Sequence, residues 1–458
     1  MDQELRQELV DIFGPEGVSD AVVDLVTYSY DASDHRQRPW VAVWPTETAQ
    51  VAELMRLAWR RELPVTPRGA GTGMAGGAVP ARGGVVLDLC RMCRILELRL
   101  DDRQVVLQPG VVYQDLQKTL APHGFFFPPD PASGKVCTIG GNVATNAGGI
   151  RGAKYGVTRD YVLGLEVVLP DGRITRLGGH CIKSSSGLDL VRLMVGSEGV
   201  LGVVTEVTLK IAPRPLVFRT CQASFDRLED AGRAVSAIMH AAVVPSVLEI
   251  LDQNTIRLLR ERRGMDLPPV QAMLLVETDG FTAGEAEFQM QRVVEVFQSC
   301  GARSLELADS PREAERLWQG RKAAGSTAAQ LRPANVSEDV TVPMSRLPQL
   351  LEGVSAIVEE RDLPFVIFGH AGDGNLHPKI MYDPFDPRER AAAQEAVEQV
   401  FALTCRLGGT LSGEHGIGLA KAPFLHLEHD AAALELMRGI KRLFDPKNIL
   451  NPGKMDLD

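Results

Sequence analysis

Residues 67–77 read PRGAGTGMAGG and embed G-x-G-x-x-G at Gly71, Gly73 and Gly76. A dinucleotide fold would need a helix directly after these glycines, so that its N-terminus could hold a pyrophosphate. The residues that follow, GAVPARGGVVLDL, place Pro80, Gly83 and Gly84 before a strand and forbid one. The segment is therefore a glycine loop between strands, whose backbone N–H groups can cradle phosphate oxygens. A second segment, 127–156 (FPPDPASGKVCTIGGNVATNAGGIRGAKYG), is dominated by small and hydroxyl- or amide-bearing residues. Such residues let a flat ring lie against the backbone and bond its edge. A third, VGSEGVLGVVTEVTLK at 195–210, adds Gly196, Gly199 and Gly202 ahead of a strand. Taken singly, each segment reads as a surface loop; three of them in one region are hard to explain as turns.

The pattern around them is mixed α and β. Helical periodicity over 46–61 is followed by short strands at LPVTPR, GVVLDLC and VVLQPGVVY, then by an amphipathic helix ending at Gly124. Residues 161–176 predict a hairpin turning at Pro170-Asp171-Gly172, and GVVTEVTLKI a strand. Pro213 and Pro215 break the pattern. Beyond them, helices at DRLEDAGRAVSAIMHAA and AGEAEFQMQRVVEVFQSCG and strands at SVLEILD and QAMLLVETD predict an α+β domain with a largely antiparallel sheet. The expected divisions are 1–213, 214–412 and 413–458.

The three glycine segments resemble the FAD domain of the vanillyl-alcohol oxidase-type (PCMH-type) flavoproteins. The later motifs narrow the resemblance to the branch holding glycolate oxidase FAD subunits, D-lactate dehydrogenases and D-2-hydroxyglutarate dehydrogenases. It covers essentially the whole chain. It implies a two-lobed FAD domain, an α+β cap domain for substrate, and a C-terminal segment returning to the flavin. Carried over by position, it implies that Arg68, Gly69, Gly71, Thr72 and Gly73 hold the pyrophosphate. Pro131, Ser133, Thr138, Gly141, Asn142, Thr145 and Gly148 would line the flavin, Glu198, Gly199 and Val204 would meet the adenine side, and Asn451 the ring end. Some relatives bind FAD covalently through a His in the first loop. Ala70, Gly71 and Thr72 stand there in this chain, so a noncovalent flavin is expected.

A second constellation lies nearer the C-terminus. FGHAGDGNLHP at 368–378 sets His370 and His377 on either side of a glycine turn between two strands, and GGTLSGEHGIG at 408–418 sets Glu414 beside His415. Two His and one carboxylate make a divalent-metal set with positions open for substrate. The resemblance implies His370, His377 and Glu414 as ligands of zinc (or manganese or iron), His415 as the base, Asn375 as a substrate-orienting residue and Arg321 as the partner of the substrate carboxylate. The 2-hydroxyglutarate branch carries a Lys downstream of this Arg. Here Arg332 is the only cation between Ala323 and Val342, which favours a monoacid such as lactate or glycolate.

Composition sets the remaining bounds. A net charge of −10 argues against general nucleic-acid binding, and no apolar run is long enough to span a bilayer. The seven Cys include one CxxC, Cys90 and Cys93, with no second pair at cluster spacing. Electrons would therefore pass to an iron–sulfur subunit, an electron-transfer flavoprotein, a cytochrome or a quinone. The expected setting is the cytoplasm, at most peripheral to a membrane through a partner, and a homodimer is compatible. Three other readings stand beside this one: a metal-free alcohol or aldehyde oxidase, a non-catalytic FAD-binding subunit, and a metal-dependent hydrolase.

Overall fold

The computed structural model describes residues 3–458. The chain divides into two units. The first comprises residues up to Gly148, Val157–Arg214 and Glu414–Asp458; the second comprises Gly149–Gly156 and Pro215–Gly413.

The first unit is built on two sheets, each with its own core. In the smaller sheet, Val41–Val43, Val85–Asp88 and Val65–Arg68 run parallel, and Val18–Ser19 pairs antiparallel at the edge. Parallel strands covered on both faces read as continuous apolar runs, and VAV and VVLD are buried throughout. The helix Thr48–Arg61 buries Val51, Leu54, Met55 and Ala58, at the i, i+3, i+4 spacing that the sequence shows. The larger sheet is antiparallel, in the order Ile95–Arg99, Gln104–Leu107, Val203–Lys210, Val162–Val168, Ile174–Gly178. Its last two strands form the expected hairpin, with Gly172 at φ +84° in the turn. No helix follows the first glycine loop.

The second glycine segment departs from the expectation of continuous loop, with helices at Ile139–Thr145 and Gly152–Tyr155. The helix Ile139–Thr145 forms inside IGGNVAT, although each interior glycine costs about 1 kcal/mol of helix propensity. Thr138 caps it through its hydroxyl, which accepts from Gly141 N at 3.3 Å. Ile139 and Val143, one turn apart, are buried in the core of the larger sheet.

In the second unit, the order is Ser304–Leu307, Val217–Phe225, Ala272–Gly280, Val247–Asp252, Phe365–His370, Asn375–Tyr382, Ala334–Ser337, with Val340–Thr341 also on Asn375–Tyr382. Every pairing is antiparallel, as the α+β reading expects. Helices Leu228–His240, Gln253–Arg263, Ala283–Ser299, Pro311–Ala328, Leu347–Glu359 and Pro387–Arg406 belong to this unit. The short stretch Gly149–Gly156 is also part of it: the Lys154 ammonium and the Tyr155 hydroxyl both bond the buried Asp279, the latter at 2.6 Å.

Phe225 and Phe297 anchor the packing of Ala283–Ser299 on this sheet, edge to face with centroids 5.9 Å apart and both fully buried. Phe225→Ala is expected to destabilise the second unit by about 3–5 kcal/mol. Denaturant titration followed by fluorescence would show it, and an unchanged midpoint would mean that this contact does not hold the helix to the sheet.

Candidate functional site

In the first unit the glycine segments converge on one cavity. Arg68, Gly69, Gly71, Thr72, Gly73, Pro131, Ser133, Thr138, Gly141, Asn142, Thr145, Gly148 and Glu198 all line it, and so do Glu414 and His415 of the returning segment. Gly199 and Val204 line a smaller adjoining cavity that shares Arg68, Thr138 and Glu198 with the first. Asn451 lies on neither wall. It is buried, and its amide nitrogen donates to Glu198 O at 2.7 Å and Gly77 O at 3.1 Å.

The first loop is held by Arg68. Its Nη1 donates to Tyr30 O at 2.8 Å and Ala78 O at 3.3 Å, and its guanidinium lies 5.5 Å from the centre of the Tyr28 ring. Burial lowers the pKa of Arg68, while Asp31 and Asp88 act to raise it. Gly71 has φ +69°, and a Cβ there would overlap this guanidinium. In the second loop, Asn142 is buried and its Nδ2 has no hydrogen-bond partner among the described residues. A buried donor left unpaired costs about 1–3 kcal/mol. This orphan and the small-residue walls fit a flat ring with acceptors on its edge.

Glu198 fixes the returning segment. Both of its carboxylate oxygens accept backbone bonds, from Ile417 N at 2.6 Å and Gly418 N at 2.8 Å. The approach requires Gly416, at φ +85°, where a Cβ would stand 2.8 Å from Glu198 Oε1. Burial pushes the Glu198 carboxyl upward against these two bonds. Just ahead of the clamped amides, Glu414 and His415 bring donor atoms within 4.8 Å of each other.

The second unit carries the other half of the predicted residues. His370 ends one strand and His377 lies on the next, with the pair His370↔Asn375 closing the hairpin. The imidazoles face each other, Nε2 to Nε2, at 3.3 Å. Two ligands of one tetrahedral zinc at ordinary Zn–N lengths are also about 3.3 Å apart, so the pair fits a shared ion. His370 Nδ1 bonds Glu249 Oε1 at 2.5 Å, which assigns the proton to Nδ1 and the lone pair to Nε2. The other Glu249 oxygen takes Arg321 Nε, and the Arg321 guanidinium also stacks 4.8 Å from the centre of Phe368. Burial alone would raise the Glu249 pKa; Arg321 and His370 outweigh it and hold the carboxyl at about 2.

Asn375 is committed within the sheet: its Nδ2 donates to Asp339 Oδ1 at 2.7 Å and Thr341 Oγ1 at 2.9 Å. Asp339 also accepts from Ser412 Oγ at 2.8 Å and lies 3.9 Å from His377 Nδ1. Sequence reasoning missed both Glu249 and Asp339. Glu249 had a visible signal as the one charge inside SVLEI, whereas Asp339 follows Glu338 between the short strands Ala334–Ser337 and Val340–Thr341, where an acid pair reads as an ordinary loop. Gly71→Ala should leave the first unit folded but empty of flavin, because the loop must open to admit the methyl. Absorbance at 450 nm per mole of purified protein reads this directly, and wild-type flavin content in the variant would contradict the assigned loop geometry.

Comparison with known proteins places this geometry. Residues 39–178 match the model of an FAD binding domain, and residues 214–455 that of the FAD linked oxidases, C-terminal domain. The chain is 39% identical over 455 residues to the glycolate oxidase subunit GlcD of Bacillus subtilis (strain 168), covering 99% of this chain and 97% of that one. It is 36% identical over 447 residues to a D-lactate dehydrogenase of Anaerostipes hadrus, covering 96% and 94%. Among solved structures, p-cresol methylhydroxylase with substrate bound superposes with a TM-score of 0.84 at 18% identity, over 99% of this chain and 96% of that one, a likeness of fold. The glycine cavity, the two-sheet FAD domain and these matches together make the chain a member of the FAD-linked oxidases, with an FAD-binding domain of the PCMH type.

Proposed function

We propose that this chain oxidises a D-2-hydroxy acid, a monoacid of the lactate or glycolate type, to the 2-oxo acid and passes the electrons to a separate acceptor. The observation that carries the reading is the His370–His377 pair, set at ligand spacing and backed by a buried carboxylate that also holds Arg321. The names of the similar proteins, a glycolate oxidase subunit and a D-lactate dehydrogenase, support the substrate class.

Bound FAD supplies a two-electron acceptor for the hydride on C2. A divalent ion, zinc first, with His370, His377 and Glu414 as its proposed ligands, supplies a Lewis acid that lowers the pKa of the substrate hydroxyl. The remaining work falls to side chains. His415 takes the hydroxyl proton on a ring nitrogen. Arg321 binds the substrate carboxylate end-on: its hydrogen bond to Glu249 uses Nε, and Nη1 and Nη2 form the planar fork that suits a carboxylate. Asn375 orients the substrate through its carbonyl oxygen, since its amide nitrogen is taken by Asp339 and Thr341. Arg332 pairs with Glu389, and no Lys lies between Ala323 and Val342, which is why a second substrate carboxylate is disfavoured. The acceptor is an iron–sulfur subunit, an electron-transfer flavoprotein, a cytochrome or a quinone. No helix is long and apolar enough to cross a membrane among the described residues.

The purified protein should reduce an artificial dye with D-lactate or glycolate and not with L-lactate or a dicarboxylic D-2-hydroxy acid. Acid precipitation should release all its flavin. Exhaustive chelation should abolish turnover while the flavin stays bound, and zinc or manganese should restore it; full activity in metal-free protein would remove the ligand assignment. His415→Asn should keep FAD and metal yet lose roughly two to four decades in the rate of flavin reduction. Rapid mixing under saturating substrate measures this step, and a near wild-type rate would return the proton to another group or to water.

A further inference from the structure

We propose that Glu249 is a positioning residue for two functions at once: one carboxylate oxygen sets the tautomer of His370, and the other aims Arg321. The inference rests on the metal-assisted reading above. It begins with sheet register. Glu249 pairs directly with His370 across adjacent antiparallel strands, so their side chains leave the same face. Phe368, two residues before His370, leaves that face too, and the Arg321 guanidinium lies over its ring. Arg321 itself comes from the helix Pro311–Ala328. The sheet thus brings His370 and Phe368 to the same acid, and the helix adds the cation.

The carboxylate is fully buried, whereas the Arg321 side chain is 16% exposed. A buried carboxylate is tolerated only when its oxygens are satisfied. Here Oε1 bonds His370 and Oε2 bonds Arg321. With Nδ1 donating to Glu249, His370 directs its Nε2 lone pair toward His377 and hence toward an ion shared by the two rings. Carboxylate backing of a ligand imidazole fixes ring orientation and raises ligand basicity, and losing it typically costs 10- to 100-fold in metal affinity. With Nε anchored and one flat side against Phe368, the Arg321 fork cannot swing, and its terminal nitrogens present one fixed edge to an anion.

The amide that replaces this acid cannot serve both partners. A glutamine offers one acceptor oxygen; its NH2 must face either Arg321, a donor, or His370 Nδ1, which then loses its proton to Nε2. Glu249→Gln should therefore weaken zinc binding about 10- to 100-fold and raise KM for the hydroxy acid on the order of tenfold, with flavin content unchanged. Zinc affinity is read by chelator competition on the FAD-loaded protein, independently of turnover. Arg321→Lys, which keeps a cation on Glu249 but loses the planar fork, should raise KM while leaving zinc affinity near wild type, and the KM effects of the two substitutions should combine less than additively because both act through the same ion pair. Glu249→Asp keeps the charge but is too short to reach both partners, and should restore one property without the other. Wild-type zinc affinity and KM in Glu249→Gln would overturn the proposal. If Glu249→Gln fails to retain FAD, Glu249→Asp with both properties intact would overturn it equally. Wild-type protein that binds no zinc and ignores chelators would instead overturn the metal-assisted reading beneath it.

Discussion

The first unit is assembled from pieces of chain that lie more than 200 residues apart, and the Glu198 carboxylate is where they are tied together. Its two oxygens accept the amides of Ile417 and Gly418, and its own carbonyl accepts from Asn451. Buried lysines continue the stitching: Lys441 donates to Val200 O and Leu450 O as well as to Asp445, and Lys454 donates to Val79 O. Each cation is desolvated, and burial pulls the Lys454 pKa down to about 8. That cost is accepted because backbone carbonyls in these loops would otherwise be buried without donors. The cavity wall contributed by Glu414 and His415 exists only because this latch closes.

The second unit solves a comparable problem by register. Antiparallel pairing sets Glu249 against His370 and His370 against Asn375, so chemistry-bearing side chains are delivered by strands whose other residues form the core. Rigid strands hold such groups more closely than loops would. Asp339 plays a similar part at the sheet edge, bonded by Asn375 and Ser412 from two different segments.

Much of this was readable from the residues. The glycine segments, with Pro80, Gly83 and Gly84 closing off a helix, gave the correct class of cofactor domain, and alternation beyond Pro213 gave the antiparallel sheet. The two His motifs pointed to the residues that now face each other at 3.3 Å. What stayed hidden is non-local. Nothing near Glu249 in the chain announces that its partners are 72 and 121 positions away. The helix through IGGNVAT runs against propensity and depends on burial of Ile139 and Val143, a tertiary effect. Assignment of Gly149–Gly156 to the second unit depends on Asp279, whose pairing with Lys154 and Tyr155 no local pattern encodes.

Residues 149–156 leave the ribosome some 120 residues before Asp279, the acid that receives them, has been synthesised. The core of the smaller sheet in the first unit includes Ile449 and Leu450, and across that junction Val65 N donates to Ile449 O while Asn451 N donates to Val65 O. The usual order, in which an N-terminal domain finishes folding while the next is still emerging, is therefore closed to this chain. The first unit begins first and ends last, with the second completed in between. A chain cut before Ile449 would lack core residues of the half of the molecule that was translated first.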